Sequence, residues 1–420
     1  MYLKTLASSR RKAFAVILCF VAFPAAAELS VTMTALSLAP SPIASGGQSA
    51  LSITFTNATS ATINGVTFTD TLPVGLTPVT FGTIDFSPGC VFQSNVALAN
   101  PTVYGSVSIA ANNSCTIRIP VAANSGVYTN GAADISNWNG RPLAFADTTL
   151  MVTDGPVYQG LWWATGGVET GWGLNFAHQG DQIYATWYTY DTGGKAWWLS
   201  MLGARTTPTG NAYSGTIYIN VGPSFNNFPG AVVLVAVGTG TLTFADADNG
   251  TFAYNVNGVA QTKAIARFDL VTGPQPVCVY STTTPNYAIA ANYQDLWWVP
   301  NGAESGWGIN FAHQGDTIFA TWYTYGIDDN PLWLSVLARR QGTSNVYSGA
   351  IYQTSGPRFD SYDATKLKEN SVGEREDSRA DGNHATFTYS VTIAPFMSPI
   401  TQTKPLTRYL FSGNGGTWCQ

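Results

Sequence analysis

Apolar and polar residues alternate with a period of two along most of the chain. The stretch "LSVTMTALSLA" from Leu29 shows this alternation, and Gly, Pro and Asn residues interrupt it at short intervals. Alternation of this kind is typical of half-buried strands, and the interrupting residues favour turns. No segment keeps a helical period over three turns. The pattern therefore predicts an all-β protein.

The first predicted domain covers residues 28–154 and contains about seven short strand-like runs, which indicate a β-sandwich. Its runs "SPIASGGQSALSITFTNAT", "GVTFTDTLPVGL", "CTIRIPV" and "GVYTNGA" resemble the conserved-repeat, immunoglobulin-like domains of bacterial surface proteins. The resemblance implies an immunoglobulin-like sandwich that serves as a spacer or adhesive stalk module. It brings no catalytic residue with it.

The rest of the chain contains a duplication. The phrases "ETGWGLNFAHQGDQIYATWYTYD" from Glu169 and "ESGWGINFAHQGDTIFATWYTYG" from Glu304 agree at 18 of 23 positions. We assign the two repeats to residues 155–272 and 291–420, with a linker at 273–290. About eight strand-like runs in each repeat, joined by turn sequences such as "GD" and "DTGG", predict an eight-stranded antiparallel meander. Closure as a barrel would remove exposed strand edges, and a two-sheet sandwich is the alternative.

The repeats also resemble a family of secreted bacterial repeat domains. The shared features are "ESGWG", "HQGD", "ATWYTYD", "WL" and a terminal "CQ". No activity is assigned to that family, so the resemblance implies an extracellular location and a fold but no mechanism.

One predicted strand differs sharply between the repeats. The first repeat has "VGTGTLTFAD", whereas the second has "VGEREDSRAD" at the matching offset. Asp377 and Arg379 thereby replace the inward-facing Leu242 and Phe244. Burial of an unpaired charge costs several kcal/mol. We therefore expect this segment of the second repeat to fray or loop outward.

The N-terminus predicts export. Four basic residues precede an apolar run at 13–23, and three alanines at 25–27 offer a cleavage site. This layout is typical of a secretory signal peptide, here residues 1–27. An uncleaved anchor is the alternative, but the run is shorter than the roughly 20 residues that span a bilayer. We expect a secreted or cell-surface protein with no further membrane-spanning segment.

The charge argues against a nucleic-acid partner. Charged residues make up 10% of the chain, and loss of the signal peptide would remove four basic residues, leaving a formal net charge of −9. Binding to a phosphate backbone requires clustered cations, which the sequence lacks.

Four cysteines remain after the signal peptide, and they allow three pairings. We predict Cys90–Cys115 and Cys278–Cys419, because each bond closes a loop within one folding unit and suits an oxidising compartment. A metal site is the alternative, but no close Cys-x-x-Cys pair is present. We expect no metal or other cofactor.

Aromatic residues of the repeats are the first candidates for ligand binding. Alternate side chains of the strand "QIYATWYTY" point to opposite faces, one largely aliphatic and one of Tyr, Thr, Trp and Ser. These rings either fill a barrel and support cross-strand pairs, or form a platform on which a sugar or a similar ligand stacks. The candidates are Tyr184, Trp187, Tyr188, Tyr190, Trp198, Phe319, Trp322, Tyr323, Tyr325 and Trp333.

Polar residues of the repeated loops are the second set: Glu169, His178, Asp181, Glu304, His313 and Asp316. One histidine per repeat is too few for a zinc site, so a turn histidine bonded to the backbone or to Asp is favoured. A glycosidase needs two facing carboxylates, for which Glu169 with Asp181 or Asp191 is a candidate, although Asp191 is replaced by Gly326 in the second repeat. The favoured role for each Glu is a structural ion pair with Lys263 or Lys404.

The sequence thus favours an exported, non-enzymatic protein. Its immunoglobulin-like spacer would present two tandem aromatic-rich modules that bind a surface ligand, with a glycan as one candidate. The alternatives are a structural component of the envelope or matrix, and a hydrolase that uses Glu169 and Glu304.

Overall fold

The computed structural model describes residues 29–420 except 40, 46, 80–82, 92–93, 154, 208–209, 274, 282–283 and 414. The predicted signal peptide, residues 1–27, lies outside the described residues. The chain is all-β, as predicted, with a sandwich followed by two closed antiparallel barrels. Within the described ranges, no helix has both the length and the apolar character needed to cross a membrane.

The first domain is an immunoglobulin-like sandwich. Its strands are β1 (Val31–Ala39), β2 (Ile43–Ala44), β3 (Gln48–Asn57), β4 (Ile63–Thr71), β5 (Thr77–Pro78), β6 (Asp85–Phe86), β7 (Asn95–Ala99), β8 (Thr102–Ile109), β9 (Asn113–Ala122), β10 (Gly126–Asn130), β11 (Ile135–Ser136) and β12 (Thr148–Thr153). One sheet has the order β1-β3-β9-β5, with β6 also paired to β9; the others are β11-β4-β8-β7 and β10-β12-β2. Alternate residues such as Leu51, Ile53 and Phe55 are fully buried, which is why the alternation in sequence marks these strands. The Cys90–Cys115 disulfide lies within this domain, as predicted.

The first repeat closes into a barrel. Its strands are β13 (Gly160–Ala164), β14 (Gly173–Gln179), β15 (Gln182–Tyr190), β16 (Ala196–Arg205), β17 (Ala212–Val221), β18 (Val233–Phe244), β19 (Asn249–Val256) and β20 (Val259–Arg267). Each strand pairs with the next, and β20 returns to β13. The barrel prediction is therefore confirmed over the sandwich alternative. Ile183, Ala185 and Trp187 belong to its buried core.

The second repeat has the same topology. After β21 (Cys278–Ser281), its barrel strands are β22 (Asp295–Trp298), β23 (Gly308–Gln314), β24 (Thr317–Tyr325), β25 (Pro331–Arg340), β26 (Val346–Ser355), β27 (Lys368–Arg379), β28 (His384–Val391) and β29 (Ile400–Arg408), and β30 (Gly416–Cys419) ends the chain. Short 3-10 helices lie at Ala132–Asp134, Thr165–Gly167, Tyr287–Ile289, Pro300–Gly302 and Ala364–Lys366.

The expectation that the charged segment of the second repeat leaves the barrel is wrong. It forms β27, which pairs with β26 over residues 368–378 and with β28 over residues 373–379. Arg375, Asp377 and Arg379 all point inward and are at most 5% exposed. Asp377 forms an ion pair with each arginine, so one buried anion is shared by two cations. The cost of several kcal/mol expected from the sequence was that of a buried charge with no counter-ion. Here the same strand carries the counter-ion, Asp377, between its two arginines.

The segment assigned as a linker, residues 273–290, contains ordered structure. Strand β21 pairs with β30, and the Cys278–Cys419 disulfide joins the two strands, as predicted. Val279 and Trp418 of this ribbon pack against Met151 of the sandwich in one buried cluster. The segment therefore connects the end of the second repeat to the first domain.

Candidate functional site

The two barrels pack against each other through equivalent surfaces. The Trp198 indole Nε1–H donates to the Thr324 carbonyl oxygen, and the equivalent Trp333 indole donates to the Thr189 carbonyl oxygen, both at 2.8 Å. Such reciprocity defines an isologous interface, the arrangement found in two-fold symmetric dimers. The duplicated halves therefore form one pseudo-two-fold unit instead of two independent modules.

This packing corrects the expectation of an exposed aromatic platform on each repeat. Tyr188 packs against Trp333 with ring centroids 5.0 Å apart, and Trp198 against Tyr323 at 5.6 Å, with the rings tilted in both pairs. The side chains buried between the barrels are Tyr188, Tyr190, Trp198, Tyr323, Tyr325 and Trp333, whereas Trp187 and Trp322 lie inside the barrels. Phe319 is half-buried beside the interface. The outward rings of each repeat are thus covered by the other repeat.

Each repeat also closes the barrel of the other with a phenylalanine. Phe225, from the loop between β17 and β18, belongs to the core of the second barrel, where its ring lies 6.0 Å from that of Trp322. Phe359, from the equivalent loop of the second repeat, lies in the core of the first barrel, 5.3 Å from Trp197. This exchange is not apparent from the sequence, although "GPSF" and "GPRF" match between the repeats. A matching motif shows that a residue recurs, but not which copy of the barrel it enters.

A groove remains open at one edge of this interface, and we call it the aromatic groove. Its volume is about 190 Å³, and its lining residues are Tyr184, Thr186, Trp198, Asn220, Val232, Leu234, Leu296, Trp297, Trp298, Ser305, Gly306, Trp307, Gly308, Tyr323 and Tyr409. Tyr184, Trp198 and Tyr323 were candidates from sequence. Asn220, Trp298 and Tyr409 were not, because they lie on strands far apart in sequence that meet only when both barrels form.

Two polar atoms in the aromatic groove lack a hydrogen-bond partner. Thr186 is 2% exposed and Asn220 is 6% exposed, yet neither the Thr186 hydroxyl nor the Asn220 carbonyl oxygen has a partner among the described residues. Buried polar groups in native proteins are almost always bonded, so an unpartnered pair in an open groove points to a ligand that completes them.

A larger cleft of about 700 Å³ opens elsewhere on the interface. Its charged side chains include Lys195 and Asp328, which pair across the two repeats at 3.6 Å. The Asp191 carboxylate accepts hydrogen bonds from the backbone N–H groups of Gly193 and Lys195 and so stabilises a turn. These charged groups already have partners, although the Thr354 hydroxyl, which also lines the cleft, has none among the described residues. The aromatic groove is the stronger candidate for a ligand because aromatic rings surround its two unpartnered polar atoms.

The repeated glutamates form structural contacts, as the sequence favours. Glu169 pairs with Lys263 at 2.8 Å and accepts a hydrogen bond from the Trp172 indole at 3.0 Å. Glu304 makes the equivalent contacts with Lys404, at 2.7 Å, and with Trp307. Each carboxylate thus holds the "GWG" turn against the strand that carries the lysine.

The proposed carboxylate pair of a hydrolase is not assembled. Glu169 precedes β14 and Asp181 follows it, so the seven-residue strand separates them by roughly 20 Å. Glycosidase carboxylates lie about 5–10 Å apart. Asp181 and Asp316 instead pair with Arg205 and Arg340 in their own hairpin turns.

His178 and His313 are bonded to the backbone in equivalent ways. His178 Nδ1 accepts from the Tyr158 backbone N–H at 3.0 Å, so its proton lies on Nε2, which is 3.0 Å from the Gly180 carbonyl oxygen. His313 repeats this between Tyr293 and Gly315. Burial lowers the pKa of His178 to about 3 and that of His313 to about 4. Both are therefore neutral side chains that fix a turn.

Because both histidines are buried in the neutral form, we expect the folded chain to lose stability in acid. The unfolded chain binds a proton at each histidine below pH 6.5, whereas the folded chain does so only near pH 3–4. The free energy of unfolding should therefore fall by about 1.4 kcal/mol per histidine for each pH unit between 6.5 and 4. We expect His178→Gln with His313→Gln to remove this dependence, because Gln keeps one donor and one acceptor without titrating.

The measurement is the difference in unfolding free energy between wild type and the double variant at several pH values. The contributions of other titrating groups cancel in that difference. One of these groups is Asp70, since burial raises the pKa of its carboxyl to about 6. A difference that stays constant between pH 7 and pH 4.5 would contradict the assignment of neutral buried histidines.

The fold and the groove define an all-β protein with a sandwich joined to two interlocked barrels. Residues 36–152 match a family described as a domain of unknown function, DUF7933. The matched segment lies within the sandwich and covers less than half of the chain. No curated protein matches the chain.

Solved cohesin structures show a faint likeness. The seventh ScaB type I cohesin from Pseudobacteroides cellulosolvens is 13% identical with a TM-score of 0.23, over 30% of this chain and 92% of the cohesin. A non-cellulosomal cohesin from Archaeoglobus fulgidus is 8% identical with a TM-score of 0.22, over 30% and 92%. The third ScaC cohesin from Acetivibrio cellulolyticus, solved with the ScaB dockerin, is 15% identical with a TM-score of 0.21, over 29% and 98%. Scores this low support no inference about this chain.

Proposed function

We propose that this protein is an exported, non-enzymatic binding protein whose two barrels together form one carbohydrate-binding unit. The observation that carries the proposal is the aromatic groove, in which rings from both repeats surround the unpartnered polar atoms of Thr186 and Asn220. The C–H faces of a sugar ring are apolar and pack against aromatic rings, while its hydroxyl groups bond to polar side chains. The groove offers both kinds of surface within one small space.

The sandwich would act as the spacer that presents this unit at the cell surface or outside the cell. Its buried contact with the β21–β30 ribbon, through Met151, Val279 and Trp418, ties the spacer to the end of the second repeat. The two disulfides suit an oxidising compartment, which supports export.

A structural role in the envelope or matrix is the second candidate function. It is favoured by the number of aromatic rings that serve only to fill the barrels and the surface between them. The two candidates differ in whether the full chain retains a soluble glycan.

A glycan array separates them. We expect wild type to bind a subset of neutral glycans and Trp298→Ala to weaken that binding about tenfold or more, a change of about 1.4 kcal/mol or greater. Trp298 lines the groove, and its ring packs against that of Tyr409 at 4.7 Å. Trp163→Ala is the matched control, because Trp163 is the equivalent residue of the first repeat and packs on Phe268 in the same way. Absence of binding to every glycan would leave the structural role as the better proposal.

A further inference from the structure

We infer that the chain has one sugar site instead of two, and that this site takes a single uncharged sugar residue at the end of a glycan. This inference rests on the proposed function and deepens it. It follows from the differences between the aromatic groove and the mirror groove, by which we mean the positions that the pseudo-two-fold relation makes equivalent to it.

The aromatic groove has polar groups that the mirror groove lacks. Tyr184 and Tyr409 each supply a phenolic hydroxyl, whereas the equivalent residues are Phe319 and Phe268. Asn220 supplies an amide, which has both a donor and an acceptor, where the other repeat has a threonine. Sugar hydroxyls need such partners on several sides, so the chemistry favours one groove over the other.

The mirror groove is also more filled. Val232 lies against Gly306 of the second repeat, and its equivalent, the larger Leu367, lies against Gly171 of the first repeat. The Tyr362 hydroxyl accepts from the backbone N–H of Thr170 at 2.9 Å, whereas its equivalent, Phe228, packs on Trp307 with ring centroids 6.4 Å apart and has no hydroxyl to bond the turn. The larger Leu367 side chain therefore fills more of the mirror groove than Val232 fills of the aromatic groove.

The two grooves also differ in a hydrogen bond between the barrels. In the mirror groove, the Asn175 amide donates to the Thr321 hydroxyl across the barrels at 3.0 Å. The equivalent donor of the second repeat is Asn310 Nδ2, and the equivalent hydroxyl is that of Thr186, which lines the aromatic groove. Neither atom has a partner in the described part of the chain. This bond across the barrels is therefore made on the mirror side and not on the side of the aromatic groove, where the Thr186 hydroxyl remains available to a ligand. The Thr354 hydroxyl of the mirror side also lacks a partner among the described residues, so the difference lies in this one bond.

The charge and the size of the aromatic groove restrict its ligand. None of its described lining residues is acidic or basic. A charged sugar placed there would lose its water without gaining a counter-ion, which is costly. The volume of about 190 Å³ is below the roughly 300–1,000 Å³ of pockets that enclose drug-sized ligands. A single ring fits these limits, and a buried oligosaccharide does not.

Isothermal titration of the full chain with a panel of methyl glycosides tests the inference. The panel contains neutral methyl hexosides and N-acetylhexosaminides, with methyl glucuronide as the charged member. We expect at least one neutral glycoside to bind with a stoichiometry of one and methyl glucuronide not to bind. Asn220→Leu should weaken the binding about tenfold or more, and the matched variant Thr354→Leu in the mirror groove should leave it unchanged.

A second variant, Leu234→Glu, tests the groove independently, so the inference can still be judged if Asn220→Leu does not fold. Leu234 is 61% exposed at the mouth of the groove, and the equivalent residue of the second repeat is already Glu369. We expect Leu234→Glu to weaken binding while the melting temperature stays that of wild type.

The outcomes separate the two proposals. If no glycoside on the panel or the array binds, the proposed function itself fails. If a glycoside binds with a stoichiometry of two, or Thr354→Leu weakens binding as much as Asn220→Leu does, the single-site inference fails while the function stands. If methyl glucuronide binds as tightly as the neutral glycosides, the restriction to uncharged sugars is overturned.

Discussion

Replacing Asp377 by alanine is expected to destabilise the second barrel by about 3–5 kcal/mol. Asp377 is fully buried and is the anion that Arg375 and Arg379 share inside the barrel. Its removal would leave two buried guanidinium groups without a counter-charge. An uncompensated buried charge is far more costly than the loss of the pair itself.

The surroundings of the two arginines explain how the barrel tolerates them while Asp377 is present. The Arg379 guanidinium lies 4.3 Å from the ring centroid of Phe311 and 4.8 Å from that of Tyr293. The Arg375 guanidinium lies 4.9 Å from the Phe311 ring. Aromatic faces attract cations, most strongly where water is excluded. In the first barrel the equivalent of Arg379 is Phe244, which stacks directly on Tyr158. The Tyr at this position of each barrel therefore packs against a ring in the first repeat and against a cation in the second.

The first repeat supplies a matched control for this prediction. The variant with Arg375→Gly, Asp377→Leu, Arg379→Phe, Val336→Met and Ala385→Gly places the corresponding residues of the first barrel around the triad; Ala385→Gly is included because a Cβ at the equivalent Gly250 would lie 3.1 Å from the Phe244 ring. Replacing a buried ionic triad by well-packed apolar residues is commonly neutral or stabilising by about 1–4 kcal/mol. We therefore expect this variant to be at least as stable as wild type, in contrast to Asp377→Ala.

Native-state hydrogen exchange on β26, β27 and β28 measures both effects, because opening of these strands reports the stability of the second barrel. Asp377→Ala should lower the opening free energy of these amides. Unchanged exchange in Asp377→Ala, or a large loss of protection in the apolar variant, would show that the charged triad does not hold the strand in place.

The fate of β27 shows what the sequence could and could not determine. Its place in the repeat corresponds to a strand of the first repeat, but its charges led to the expectation that it leaves the barrel. The period of two places residues 375, 377 and 379 on one face. That spacing also places an acidic residue between two basic residues on the same face, so the ion pairs among them could have been predicted from the sequence. What the pattern could not supply was the aromatic layer, because Tyr293, Phe311 and Phe387 reach the arginines only when the barrel closes.

The candidate site was less predictable than the fold for a related reason. Strand alternation correctly separated Trp187 from Tyr188, but an outward aromatic face fits a ligand platform and a protein interface equally well. The choice depends on reciprocal contacts such as those of Trp198 and Trp333, which join residues more than 120 positions apart. Asn220 and Tyr409 became candidates only after the interface was known, because the groove exists only between the barrels.

Truncating the exchanged phenylalanines should have the second large effect, and it should appear in the repeat that does not carry the substitution. Phe→Ala changes in a core typically cost about 3–5 kcal/mol. Phe359→Ala is expected to destabilise the first barrel, because its ring packs against Trp187 and Trp197 there. Phe225→Ala is expected to destabilise the second barrel, where its ring packs against Trp322.

Hydrogen exchange mass spectrometry, resolved by strand, is the measurement. Phe359→Ala should raise exchange in β15 and β19, and Phe225→Ala should raise exchange in β24 and β28. Backbone bonds connect each loop to the opposite barrel as well, since the Phe225 N–H donates to the Tyr325 carbonyl and the Phe359 N–H donates to the Tyr190 carbonyl, both at 3.0 Å. Phe→Leu at each position is the control, because it retains most of the apolar volume and should give a smaller change. Faster exchange confined to the repeat that carries the substitution would mean that the barrels close independently, and the single interlocked unit on which the groove depends would have to be given up.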